Sequence, residues 1–212
     1  PSYVVSCAGV APAGSLLTSP VKMFTRAFDI NAAANVVLAQ AFLPAMISNN
    51  HGHFMTVASS ASYFSLPNLC AYSMSKTAAL AFLESLRAEL RAVYKACRVR
   101  TWVITPTKVR TVLAEGLNEG DDDFLMPVLE PIQVARAMAD TLNSGLSRNI
   151  SLPLGSALLP YLRALPEWYR GALRAMGNTD ALVTPESISR GQQALRGHQS
   201  NLDHMKKLGV HS

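Results

Sequence analysis

Residues 59–76 read SSASYFSLPNLCAYSMSK, which sets Ser59, then Tyr72 thirteen positions later, then Lys76 four positions beyond that. The stretch that follows, SMSKTAALAFLESLRAELRAVYKA, is rich in helix formers with apolar residues recurring three and four apart. That period puts Tyr72 and Lys76 on one helix face, a turn apart. An ammonium beside a phenol favours the phenolate, and the lowered pKa fits the phenol to exchange a proton near neutral pH. Upstream, HFMTVAS reads as a buried strand ending at Ser59. Its hydroxyl is then expected at the carboxyl end of a strand, where open parallel sheets bind ligands. By itself Tyr-x-x-x-Lys also describes a solvated pair on a helix surface, and Ser60 competes with Ser59 for the hydroxyl role.

Working outward, strand-like and helix-like runs alternate along the chain. YVVSCAGV reads as a short buried strand ending at Gly9, and VKMFTRAFDINAAANVVLAQAFLPAMIS, from Val21 to about Ser48, as one long helix with Asn31 inside it. After the turn SNNHGH and the strand leading to Ser59, the Tyr72 helix runs to about Lys95 with Leu80, Leu83, Leu86, Leu90 and Val93 as its stripe. CRVRTWVIT is a third strand, ending before Pro106, and NISLPL is a fourth. Between them, Glu130-Pro131 opens the helix IQVARAMADTLNSG, which Gly145 stops. Such alternation predicts an α/β fold, a doubly wound parallel sheet of about four strands with flanking helices. Residues 1–155 would form this sheet domain, 156–184 an apolar helical segment with Leu158, Leu159, Trp168 and Tyr169 among arginines, and 185–212 a polar tail that is a loose helix or disordered. The apolar segment could pack on its own domain, dock a partner or lie on a membrane surface.

Composition excludes several classes. With 49% hydrophobic and 16% charged residues in 212, the chain can bury a core. Its net charge of +5 is spread over helical stretches and the C-terminal part, with no basic block interleaved with aromatics, which argues against nucleic acid. Cys7, Cys70 and Cys97 fit neither a disulfide framework nor a metal site; they suit a reducing, intracellular compartment and read as small apolar fillers. His51 and His53 lack a third ligand in context and read as solvated turn residues, and Asp121, Asp122 and Asp123 as a solvated loop tip, so no metal site is expected. The longest apolar run, AAANVVLAQAFLPAMI, is broken by Gln40 and Pro44, so no run of membrane-spanning length is read. The sequence begins without Met inside a strand-like run, which reads as part of something longer.

Four stretches carry a resemblance in the same order: SCAGV near the start, FDIN ending at Asn31, the Ser59/Tyr72/Lys76 set, and PTKVRT from Pro106 to Thr111. From about residue 3 to about residue 154 the chain resembles the short-chain dehydrogenase/reductase family, and within it the retinol and 17β-hydroxysteroid dehydrogenases that act on lipophilic alcohols and ketones. The resemblance implies an NAD- or NADP-dependent oxidoreductase in which Tyr72 exchanges the proton and Ser59 hydrogen-bonds the substrate oxygen. Lys76 would tune Tyr72 and bind the nicotinamide ribose, and Asn31 would hold a water that relays protons. Ala8 and Gly9 would allow close cofactor approach, and Pro106, Val109 and Thr111 would meet the nicotinamide carboxamide. It also implies a homodimer or tetramer built on the two long helices, residues 112–128 as a lid, and a cytoplasmic or endoplasmic-reticulum-membrane location.

The departures are specific. Ser6 and Cys7 replace the family's paired asparagines, and Thr107 replaces a glycine, a strained choice if that turn needs a positive φ. The family's Gly-rich turn, whose amides and helix N-terminus receive the pyrophosphate, has no counterpart in the sequence. The residue that would choose between NAD and NADP is absent with it. The strand YVVSCAGV should then have an open edge, and the chain alone should bind dinucleotide poorly. A non-catalytic remnant serving binding or oligomerisation is the alternative reading.

Overall fold

In the computed structural model, which describes residues 1–114, 127–176, 183–190 and 193, the apolar runs pair into one parallel sheet. Its strands are β1 (Tyr3–Ser6), β2 (Gly52–Val57), β3 (Val99–Pro106) and β4 (Arg148–Leu152), hydrogen-bonded in that order. The register sets Val4 opposite Phe54 and Ile104 opposite Ile150. Crossovers run through α1 (Val21–Phe28) and α2 (Ala34–Ser48), α3 (Cys70–Ala92) and α4 (Pro131–Ser144). Beyond β4 lie a short α5 (Leu159–Leu162) and α6 (Glu167–Met176).

Strand alternation divides the core in two. Val4, Phe54 and Val103 face α2 and α3, meeting Leu43, Met46, Leu80, Leu83, Leu86 and Leu90. Met55, Trp102 and Ile104 face the other way, under Met138 and Leu142 of α4. Complete burial of Phe54 and Leu83 contributes about 1.5–3 kcal/mol each. The sheet's β2 and β3 are covered on both faces, as their continuous apolar runs require. β1 is an edge strand, with Tyr3 and Val5 turned outward and exposed, as its sequence context leads one to expect. The stop signals around α4 are also as read: Pro131 opens it, Glu130 and Gln133 form a reciprocal capping box, and Gly145 ends it at φ 65°.

Several expectations need correction. The first long helix runs Val21–Ser48 as read, but within it Asp29–Ala33 form a π turn between α1 and α2, with Asn31 at its centre. The stretch Val21–Ser48 spans 28 residues and is long and apolar enough to cross a membrane. Here, however, its Ala27, Asn31, Asn35, Ala39, Leu43 and Met46 are buried within the domain. Cys7 and Cys97 are exposed, so they are not fillers. Val93, past the end of α3, is exposed and leaves the stripe. His53 is not solvated: it is stacked between Tyr3 at 4.4 Å and Trp102 at 5.0 Å, and burial lowers its pKa. Residues 185–190 are helical, one of the two readings of the tail, and what differs is that Ser187 is fully buried. The Asp121–Asp123 tip, most of the expected lid and the rest of the tail lie outside the described residues.

Candidate active site

Parallel strands end together, so the segments leaving β1, β2 and β3 share one edge of the sheet. β2 stops at Val57, but Ala58 N–H still donates to Ile104 O, which carries the ladder one residue further. Ser59 follows in extended conformation, and its Oγ accepts from Ala61 N–H at 3.2 Å, capping a short 3-10 turn over Ser60–Ser62. The chain then turns at Asn68, whose φ of 59° is one an asparagine tolerates, and enters α3 at Cys70. Tyr72 falls in the first turn of α3, which brings its phenol near the Ser59 side chain. Of the two adjacent serines, Ser59 is the one in this contact.

One turn on, Lys76 extends back to the strand end, and its Nζ donates to Val57 O at 2.8 Å. Nζ stands 5.9 Å from the centre of the Tyr72 ring, so the pair is adjacent. Lys76 is 4% exposed, and this burial depresses its pKa to about 8. The phenol behaves differently from expectation: burial raises the Tyr72 pKa, and the neighbouring Ser59 side chain pulls it only partway back. The ammonium is aimed at the Val57 carbonyl, so in the chain alone desolvation outweighs its pull on the phenol.

The π turn aims the Asn31 amide inward. Nδ2 donates to Val10 O and to Ser75 Oγ, each at 2.8 Å, while Oδ1 accepts from Val10 N–H at 2.9 Å. Ser75 Oγ in turn donates to Tyr72 O at 2.8 Å, which ties this network to the catalytic helix. The asparagine pair missing at Ser6 and Cys7 therefore does not leave the end of β1 unheld, because Asn31 clamps Val10 from both sides. Between them lies Gly9. A Cβ there would stand 3.2 Å from Asn31 Oδ1 and 3.3 Å from Lys76 Nζ, tighter than ordinary contact, so only glycine leaves both groups undisturbed. Ala8, one residue earlier, is exposed at the same edge.

Pro106 ends β3, and Thr107 N–H donates to Leu152 O at 2.8 Å. Thr107 is not among the residues with positive φ, so the strain its presence suggested does not arise. Val109 bridges Leu129, and Thr111 Oγ1 donates to Val109 O at 3.3 Å. These three sit on the neighbouring strand's exit. Asn31, Ser59, Tyr72, Lys76 and Gly9 form the tight cluster. Sequence reasoning missed Val57, Val10 and Ser75 as partners; Ser75, one residue before Lys76 and three after Tyr72, was readable from spacing. Among the described residues no group of three or more His, Cys, Asp or Glu side chains could hold a metal.

The fold is an open parallel α/β sheet whose carboxyl edge, where such sheets bind ligands, gathers a serine, a tyrosine and a lysine. A profile of the short chain dehydrogenase family matches residues 2–122, and the chain belongs to that family. It is 37% identical over 175 residues to estradiol 17-beta-dehydrogenase 11 of Homo sapiens, covering 82% of this chain and 56% of that protein. Epidermal retinol dehydrogenase 2 of Mus musculus is 34% identical over 141 residues, covering 66% of this chain and 45% of its own length. The chain thus spans little more than half the length of such relatives. Among solved structures, a short chain dehydrogenase from Burkholderia cenocepacia J2315 in complex with NADP matches with a TM-score of 0.67 at 23% identity, over 82% of this chain and 68% of that one. That likeness supports the fold.

Proposed function

We propose that the protein carrying this chain is an NAD(P)-dependent oxidoreductase that interconverts a lipophilic alcohol and its ketone or aldehyde. The observation that carries this reading is the convergence of the Ser59 hydroxyl, the Tyr72 phenol and the Lys76 ammonium at one strand edge, beside Asn31 and Gly9. The edge suits the nicotinamide end of the cofactor: Gly9 leaves a space that a Cβ would fill, and Lys76 has one hydrogen bond described for its three protons. Ala8, Gly9, Lys76, Pro106, Val109 and Thr111 are the residues that would hold that end. When bound, the cofactor supplies or accepts the hydride. Tyr72 gives a proton to the substrate oxygen or takes it, and Ser59 holds that oxygen by hydrogen bond. Lys76, already sharing the pocket, holds positive charge near the phenol, and Asn31 leads the proton path. A Gly-rich pyrophosphate turn is not in this sequence. Because the chain covers 56% of the length of estradiol 17-beta-dehydrogenase 11, we assign that role to the part of such proteins that it does not match.

The lipophilic preference rests on the kinship to proteins named for estradiol and retinol. It also fits the segment after β4. Arg174 of α6 stacks on Phe64 at 4.9 Å, and Asn68 Nδ2 donates to Val183 O, so this segment folds back over the loop joining Ser59 to Tyr72. The proposed division is then a sheet domain to residue 155 with residues 156–184 as its cover. The test is cofactor reduction by the full-length protein over a panel of retinols, hydroxysteroids and short polar alcohols. Turnover confined to the lipophilic members is expected; preference for the short polar ones contradicts the substrate class.

Two partner proposals accompany it. Phe28 of α1, Val36 and Val37 of α2 and Met74 of α3 are exposed apolar side chains on the long helices, suited to a second copy of the chain. Leu158 just before α5, Tyr161 of α5, and Trp168 and Met176 of α6 are exposed among arginines, suited to peripheral membrane contact. A monomer in sedimentation velocity would contradict the first, and failure to float with liposomes the second.

A further inference from the structure

Asn35 is 1% exposed, and its side chain joins the π turn to the sheet. In a regular helix each backbone N–H reaches back four residues. Here Ala34 N–H reaches back five, to Asp29 O, and the widened turn displaces the carbonyls that follow. The Asn35 side chain covers two of them: Nδ2 donates to Asn31 O at 2.9 Å and to Ala32 O at 3.2 Å. Its own Oδ1 is fixed by Thr56 Oγ1 of β2 at 3.0 Å. Thr56 is 1% exposed and lies in the middle of the sheet, so the reference point is rigid.

We propose that Asn35, anchored by Thr56, is a positioning residue that holds the π turn in register and so aims the Asn31 amide at Val10, Ser75 and the space over Gly9. Sliding the wide turn by one residue rotates the side chains it passes by about 100°, which would carry Asn31 out of the cluster. β2 thus contributes twice to the site. Its Val57 carbonyl orients Lys76, and its Thr56 hydroxyl orients Asn31 through Asn35. The chain of bonds Thr56, Asn35, Asn31, Ser75 runs from the central sheet to the backbone of Tyr72, and every member is buried.

This inference rests on the proposed oxidoreductase function, and the experiment separates the two. In the full-length protein Thr56→Val keeps the shape and removes the donor to Asn35. It is expected to lower kcat about tenfold with the substrate KM unchanged, because binding contacts stay while the proton path shifts. Thr56→Ser restores the hydroxyl and is expected to recover kcat to within about twofold of the parent. Near-ultraviolet circular dichroism of the buried Trp102 confirms the fold. If Thr56→Val does not fold, Asn35→Asp carries the test: it keeps the volume and the acceptor for Thr56 while removing the donor to the Asn31 and Ala32 carbonyls, with the same kcat loss expected. Parent-like kcat in a folded Thr56→Val or Asn35→Asp, with Tyr72→Phe inactive, overturns the role of Asn35 and leaves the function standing. Parent-like activity in Tyr72→Phe would instead overturn the function.

Discussion

Tyr72→Phe in the full-length protein is expected to lower kcat by about 10²–10⁴-fold, the contribution typical of a positioned acid or base, with little change in thermal stability. The substitution removes one hydroxyl and leaves the ring between α3 and its neighbours. What it deletes is the one atom of this side chain that can exchange a proton. Because burial holds the phenol pKa above its ordinary value, the parent keeps its proton over a wider range of pH than a free tyrosine does. Carbonyl reduction, which needs the protonated phenol, should therefore persist to higher pH than alcohol oxidation would favour. Steady-state kinetics over pH, with a melting curve for each variant, checks both parts. Near-parent turnover in Tyr72→Phe would remove Tyr72 from the mechanism.

Lys76→Met separates catalysis from stability. Turnover should fall by about 100-fold or more, since the charge nearest the phenol is lost. Stability should follow the linkage of a depressed lysine. Its pKa is about 8 in the folded chain against 10.5 for an unburied group. Below pH 8 both states are protonated, and the folded state carries the whole cost of burying the ammonium. Between pH 8 and 10.5 the folded chain releases its proton first, so the unfolded state binds more protons and stability rises with pH. The parent should gain on Lys76→Met across that window by on the order of 3 kcal/mol. Denaturant melts of both at several pH values give the difference directly, and shared titrations of other groups cancel. A difference that is flat, or that moves against the parent as pH rises, would mean that the ammonium is solvated.

Much of the architecture was legible because it depends on period. Short buried apolar runs bounded by turns placed all four strands, and the 3.6-residue stripe of Leu80, Leu83, Leu86 and Leu90 placed α3. The same period put Tyr72 and Lys76 side by side, and the strand end brought Ser59 to them. The π turn was not legible, because an inserted residue leaves the apolar spacing of Val21–Ser48 nearly unchanged. Its only trace was a second asparagine at Asn35, four positions after Asn31. The direction of the Tyr72 pKa was hidden for a different reason. Spacing shows that a lysine is near, but burial and the lysine's carbonyl partner emerge only once β2 and α3 are packed together. His53 misled in the same way: flanking a glycine turn it reads as solvated, whereas the sheet slides it between Tyr3 and Trp102.

The proposed role of this cluster is to move a proton while hydride passes between a nicotinamide and a substrate carbon. Full-length protein given reduced cofactor carrying deuterium at its hydride-donating carbon, with a lipophilic ketone or aldehyde, tests it most directly. Mass spectrometry should find one deuterium on the product carbinol carbon in the parent and almost none formed by Tyr72→Phe in the same time. Product without deuterium, or equal labelled product from both proteins, would contradict the claim.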